Sequence, residues 1–92
     1  MKQQMLQVRL PGRSWQRWHA SFSTQHCTLT LFASSDDSLP KAECTVASAQ
    51  RTASAVSFAL VTDEGELWEC RAADPSIADD WLAAMAHAAE RT

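Results

Sequence analysis

Short runs in which every second residue is apolar fill most of this chain, and that period of two restricts its fold more than any other feature. Met5-Leu6-Gln7-Val8-Arg9-Leu10 alternates apolar with polar residues and stops at Pro11-Gly12, a strand running into a turn. Trp18, Ala20 and Phe22 alternate with polar residues, and after Thr24-Gln25-His26 the phase resumes in Cys27, Leu29, Leu31 and Ala33. Ser34 to Pro40 is a loop by composition. Residues 41–46 read as a short, weaker strand, and Ala47 to Ser54 as room for another. Val56, Phe58 and Leu60 then point one way, Asp63-Glu64-Gly65 turns, and Trp68, Cys70 and Ala72 alternate back. Strands at such short spacing describe an antiparallel meander curling toward a barrel.

After residue 73 the period changes. Asp74-Pro75-Ser76 is a helix-start signal, with Ser76 and Asp79 spaced as a capping box. Ile77, Trp81, Ala84, Met85 and Ala88 then fall on one face of an amphipathic helix over about 76–91. His87 and Arg91 sit late in it, as the helix dipole favours. An apolar helix face needs something to cover, and the open mouth of a small barrel supplies it. The expected core is Leu6, Val8, Trp18, Phe22, Leu29, Leu31, Phe58, Leu60, Cys70, Ile77, Trp81 and Met85.

Size and charge narrow the function. A chain of 92 residues has room for one domain over 1–92, with strands over about 4–72. Sixteen of its apolar residues are alanine, so the four tryptophans and three phenylalanines must each be placed well. No apolar run is long enough to span a bilayer, no leader-like segment opens the chain, and three unpaired cysteines point to a reducing, cytoplasmic compartment. A net charge of −3 argues against nucleic-acid binding. The charge is unevenly spread: residues 1–35 hold Lys2, Arg9, Arg13 and Arg17 and no acid, whereas residues 36–92 hold eleven acids against four bases.

With this order of elements in view, three local motifs resemble a pleckstrin homology (PH) domain. Arg13-Ser14-Trp15-Gln16-Arg17-Trp18-His19 is similar to the family's basic and aromatic second strand. Phe58-Ala59-Leu60-Val61-Thr62 followed by Leu67-Trp68-Glu69-Cys70-Arg71-Ala72 is similar to its last two strands, and Trp81-Leu82-Ala83-Ala84-Met85 to its C-terminal helix. The resemblance implies a mainly β fold with one C-terminal α-helix: a seven-stranded antiparallel barrel of two near-orthogonal sheets, capped by the helix. It also implies a targeting or adaptor module, peripheral at a membrane or the cytoskeleton.

Two kinds of partner follow. A phosphoinositide headgroup or anionic membrane needs converging cations, for which Arg9, Arg13 and Arg17 are the candidates. Arg13 and Arg17 on one regular strand lie about 13 Å apart, which suits diffuse attraction better than a chelating pocket. A protein partner, a second copy of the chain included, is the favoured alternative, with Trp15 and Phe32 as candidate contacts. No cofactor is expected. Nor is catalysis: with only Gly12 and Gly65, the chain has no phosphate-cradling loop or nucleophile elbow. His26-Cys27 with Cys44 or Cys70 lacks the paired spacing of a zinc site, so no metal is expected either.

Overall fold

The computed structural model describes residues 2–90. Six strands, β1 (Lys2–Arg9), β2 (Gln16–Ser23), β3 (Thr28–Phe32), β4 (Ala42–Arg51), β5 (Ser57–Thr62) and β6 (Leu67–Arg71), precede one helix, α1 (Pro75–Glu90). Each strand pairs antiparallel with the next, and β1 pairs with β6, so the sheet closes into a barrel. The expected mainly β barrel with a C-terminal helix is therefore present. Its strand number is six among the described residues and not seven.

The difference lies in β4. Residues 41–46 and 47–54, read as two separate strands, form one strand whose first half pairs with β3 (Leu29↔Cys44) and whose second half pairs with β5 (Ala49↔Leu60). A register shift between Val46 and Ser48 bends the strand at that point. Such an irregularity lets one strand turn a barrel corner without a loop.

Period-two burial holds where the alternation is strongest: Leu6, Val8, Ala20, Phe22, Leu29, Leu31, Phe58, Leu60, Trp68 and Cys70 point inward. Trp68, Val46 and Cys27 join a core that was expected without them, while Trp18 and Ile77 are only half-buried at its margin. Trp18 lies near the barrel's loop end, which α1 does not cover. The line that α1 buries is Ala78, Trp81, Met85 and Ala88, one residue round from a stripe beginning at Ile77. An alanine there lets the helix start close against the sheet. Lys2 of β1 and Arg51 of β4 reach α1, by a cation–π contact with Trp81 and an ion pair with Asp79, which puts the helix over the end opposite the loops that follow β1, β3 and β5.

The helix cap differs from the expected Ser76–Asp79 box. Asp74 is the cap: its Oδ1 accepts from the Ile77 backbone N–H at 3.0 Å and from the Ser76 hydroxyl at 2.8 Å. Pro75 then occupies the first helical position, where its missing N–H costs nothing. Arg91, expected in the last turn, lies outside the described residues.

Candidate functional site

The site grows from the closure of β1 against β6. In β1, Leu6 and Val8 turn inward, so Gln7 and Arg9 turn outward; in β6, Trp68 and Cys70 turn inward, so Glu69 and Arg71 turn outward. Antiparallel register then sets Arg9 opposite Glu69 and Gln7 opposite Arg71, while β2 sets Arg17 on the other side of Gln7. Three outward arginines, one glutamine and one glutamate thus share one outer face.

Each of these groups has its own fate. The Arg9 guanidinium donates through Nη2 to both carboxylate oxygens of Glu69, at 2.6 and 2.7 Å. Arg71 Nε donates to Gln7 Oε1 at 2.7 Å. Trp15 stands just ahead of β2, half-buried because two cations cover it: its ring centre is 4.4 Å from the Arg71 guanidinium carbon and 5.4 Å from that of Arg9. Arg17 is exposed and forms no side-chain hydrogen bond or ion pair among the described residues.

The three arginines singled out from sequence do not converge. Arg13 is in a turn and not in β2: its N–H donates to the Leu10 carbonyl at 3.0 Å, with Pro11 and Gly12 (φ 74°) at the central positions of a type II turn. Arg9 and Arg13 line one hollow of about 490 Å³ beneath that turn, and Glu66 and Glu69 line it with them. Its charges cancel. Arg17 lies on a second hollow, of about 340 Å³, shared with Arg71, Gln7, Met5, Ala72 and Ala73 and lined by no carboxylate. The strand-based separation of Arg13 and Arg17 accordingly does not apply. Phe32, the other proposed contact, ends β3 half-buried, its ring 6.4 Å from that of His19 on the same outer face.

Sequence reasoning missed Arg71, Gln7 and Glu69. Alternation in β6 marks Glu69 and Arg71 as outward, but only the pairing of the first strand with the last brings them beside Gln7 and Arg9. Arg71 was counted within the acidic half, and the closed barrel moves it to the basic side.

His19, His26 and His87 lie on β2, on the turn after it and on α1. Burial pushes the Cys44 thiol up to about 12, aided by the nearby carboxylates of Asp63 and Glu66, and burial raises Cys70 and Cys27 as well. Cys27 donates its S–H to the Val46 carbonyl at 3.1 Å. A protonated thiol is a poor nucleophile and a poor metal ligand. Among the described residues no three His, Cys, Asp or Glu side chains are grouped to hold a metal ion, and no helix is long and apolar enough to cross a membrane.

No family model matches the chain, and no curated protein is similar to it in sequence. Solved structures are similar in fold. The C-terminal PH domain of pleckstrin superposes with a TM-score of 0.85 at 15% identity, covering 97% of this chain and 96% of that one. The same domain in complex with D-myo-Ins(1,2,3,5,6)P5 gives 0.83 at 16%, covering 97% and 94%. The PH domain of human oxysterol-binding-protein-related protein 11 gives 0.80 at 16%, covering 98% and 80%.

Proposed function

From a PH fold as premise, we propose that this chain is a non-catalytic docking module that binds a protein partner and so localises a larger assembly. The contact surface is the outer face of β1, β2 and β6, extended by Phe32. One observation carries the choice of protein over headgroup: the two arginines beneath the β1–β2 turn share their hollow with Glu66 and Glu69, and Arg9 is already held by Glu69. A multiply charged inositol phosphate needs several uncompensated cations at one point. Here the nearest pair of acids cancels them.

The composition of the outer face supports the same reading. Trp15, Phe32, Met5, Arg17 and Arg71 belong to the residue types enriched at protein interfaces, and Met5 is 42% exposed.

Phosphoinositide or anionic-membrane binding is the second reading, favoured by the inositol phosphate seen on pleckstrin's domain and by the exposed Arg13 and Arg17. Sedimentation with vesicles containing phosphatidylserine and phosphatidylinositol bisphosphate, at low and at physiological salt, separates the two. The docking reading expects the protein in the supernatant at physiological salt, because weak surface attraction is screened there. Pelleting that survives physiological salt and is abolished in an Arg9, Arg13 and Arg17 triple alanine variant overturns it in favour of lipid.

A further inference from the structure

Arg71 is half-buried and held in place without a carboxylate. Gln7 takes its Nε–H at 2.7 Å, and Trp15 lies under the guanidinium with 4.4 Å between ring centre and Cζ. Those two contacts set the plane and direction of the group before any ligand arrives, so little of its side-chain freedom remains to be lost on binding. Its two terminal nitrogens have no protein acceptor among the described residues. They border the hollow of about 340 Å³ whose polar wall is Arg17, Gln7 and Arg71 and whose apolar wall is Met5, Ala72 and Ala73.

Arg17 faces the same hollow from across Gln7, with which both arginines are in register. Two interstrand spacings, roughly 10 Å, separate the two backbones, a span that two arginine side chains bridge when they turn toward a common point. No acidic residue lines this hollow, in contrast to the one beneath the β1–β2 turn. The nearest carboxylate on the face, Glu69, is engaged by Arg9.

We infer that this hollow is an oxyanion site, and that its occupant is an acidic side chain carried on an extended segment of the protein partner. The inference rests on the docking role proposed above and names the chemistry of the partner. Three observations favour a peptide over a bilayer. The chain as a whole carries a net charge of −3, with its acids concentrated in residues 36–92, which opposes a flat anionic surface. The hollow opens on the side of the barrel beside aromatic and Met side chains, suited to contact with another protein. Strand β1 pairs with β6 only from Gln7 to Arg9, so from Gln4 to Leu6 no described strand pairs its second edge, and an extended chain can run beside it.

The test is an NMR titration of the intact chain, following the Trp15 indole N–H and the Arg71 Nε–H. Octaglutamate is the probe, octaglutamine the uncharged control, and inorganic phosphate and mixed phosphatidylserine–phosphatidylinositol bisphosphate vesicles are separate arms. Octaglutamate is expected to shift both resonances saturably, and octaglutamine to leave them unmoved. Arg71→Lys keeps the charge but loses the fork, so it is expected to weaken binding about tenfold or more. Arg17→Ala is expected to do the same, while Lys41→Ala binds as the parent does. Thermal melting of each variant confirms that it is folded.

Octaglutamate binding that is indifferent to Arg71→Lys overturns the inference, as does a shift centred on Lys41. Inorganic phosphate binding as tightly as the peptide overturns the peptide assignment. Vesicles that move these resonances when octaglutamate does not would overturn both this inference and the docking reading. Insensitivity to Arg71→Lys with unbound vesicles defeats this inference alone.

Discussion

Trp81→Ala is the sharpest perturbation of the fold that carries the site. The indole is fully buried, at 0% exposure, in the helix line that covers one end of the barrel. A buried tryptophan removes about 150–250 Å² from water, worth roughly 4–6 kcal/mol at about 25 cal/mol per Å². The retained β-carbon offsets part of that loss. So does the Trp81 indole N–H, which is buried with no hydrogen-bond partner among the described residues and whose removal returns about 1–3 kcal/mol. A net loss of about 3 kcal/mol results, at the lower end of the usual range for such truncations. For a domain of 92 residues the total stability is of the order of 5–14 kcal/mol. The melting temperature should therefore fall by about 12–24 °C. Differential scanning calorimetry with urea unfolding reads it directly. Trp81→Phe keeps most of the apolar area and deletes the unpaired N–H, so it should cost only about 1 kcal/mol. An alanine variant melting within a few degrees of the parent would refute the reasoning, and so would a phenylalanine variant as unstable as the alanine one.

Three further outcomes follow from local chemistry. The Ile77 N–H and then the Ser76 hydroxyl hold the Asp74 carboxyl below its ordinary value; its stabilising effect is thus present above the unfolded pKa, about 3.9, and lost as pH falls through the folded value. Asp74→Ala should flatten the acid limb of a stability–pH curve below about pH 4 and leave the helix's first turn more open to hydrogen exchange. Cys44 is shifted the other way, from 9.0 to about 12, so its contribution is full below pH 9 and fades as pH rises toward 12; Cys44→Ser should lessen the alkaline fall in melting temperature. Gly12→Ala places a side chain at φ 74° in the β1–β2 turn and should cost about 1 kcal/mol by urea unfolding, with no steric clash to enlarge it.

How far the sequence revealed this architecture depended on how strongly each segment was patterned. In β1, β2, β3, β5 and β6 large apolar residues recur at every second position and most of them are buried, although Trp18 is only half-buried and Ser21 and Ala59 are buried out of phase. Apart from Glu43, Gln50 and Arg51, β4 is built from Ala, Cys, Thr and Ser with one larger aliphatic residue, Val46, at its register shift; the pattern there is too weak to show that two halves make one strand. The helix was visible from its period, yet its buried line turned on Ala78, whose small side chain gives a hydropathy pattern little weight. The helix start was visible too, although the capping oxygen belongs to Asp74 and not Ser76.

The site was less visible, for a topological reason. Arg9, Arg13 and Arg17 stand out because they are near one another along the chain. Barrel closure pairs residues some sixty positions apart, and it is closure that matches Arg9 with Glu69 and sets Arg71 beside Gln7 and Trp15. A proline–glycine turn also takes Arg13 out of the strand on which its spacing to Arg17 was reckoned. Trp15, a candidate partner contact from its sequence position, is half-covered by two guanidinium groups.

A photo-crosslinking amino acid introduced in the native cell at Met5, 42% exposed beside the Arg71 hollow, and separately at Leu39, 68% exposed on the loop after β3, tests the docking face most directly. The account expects a discrete protein adduct from position 5, lost when Arg71→Lys is added, and none from position 39. An adduct from position 39 alone, or lipid in place of protein at position 5, would contradict it.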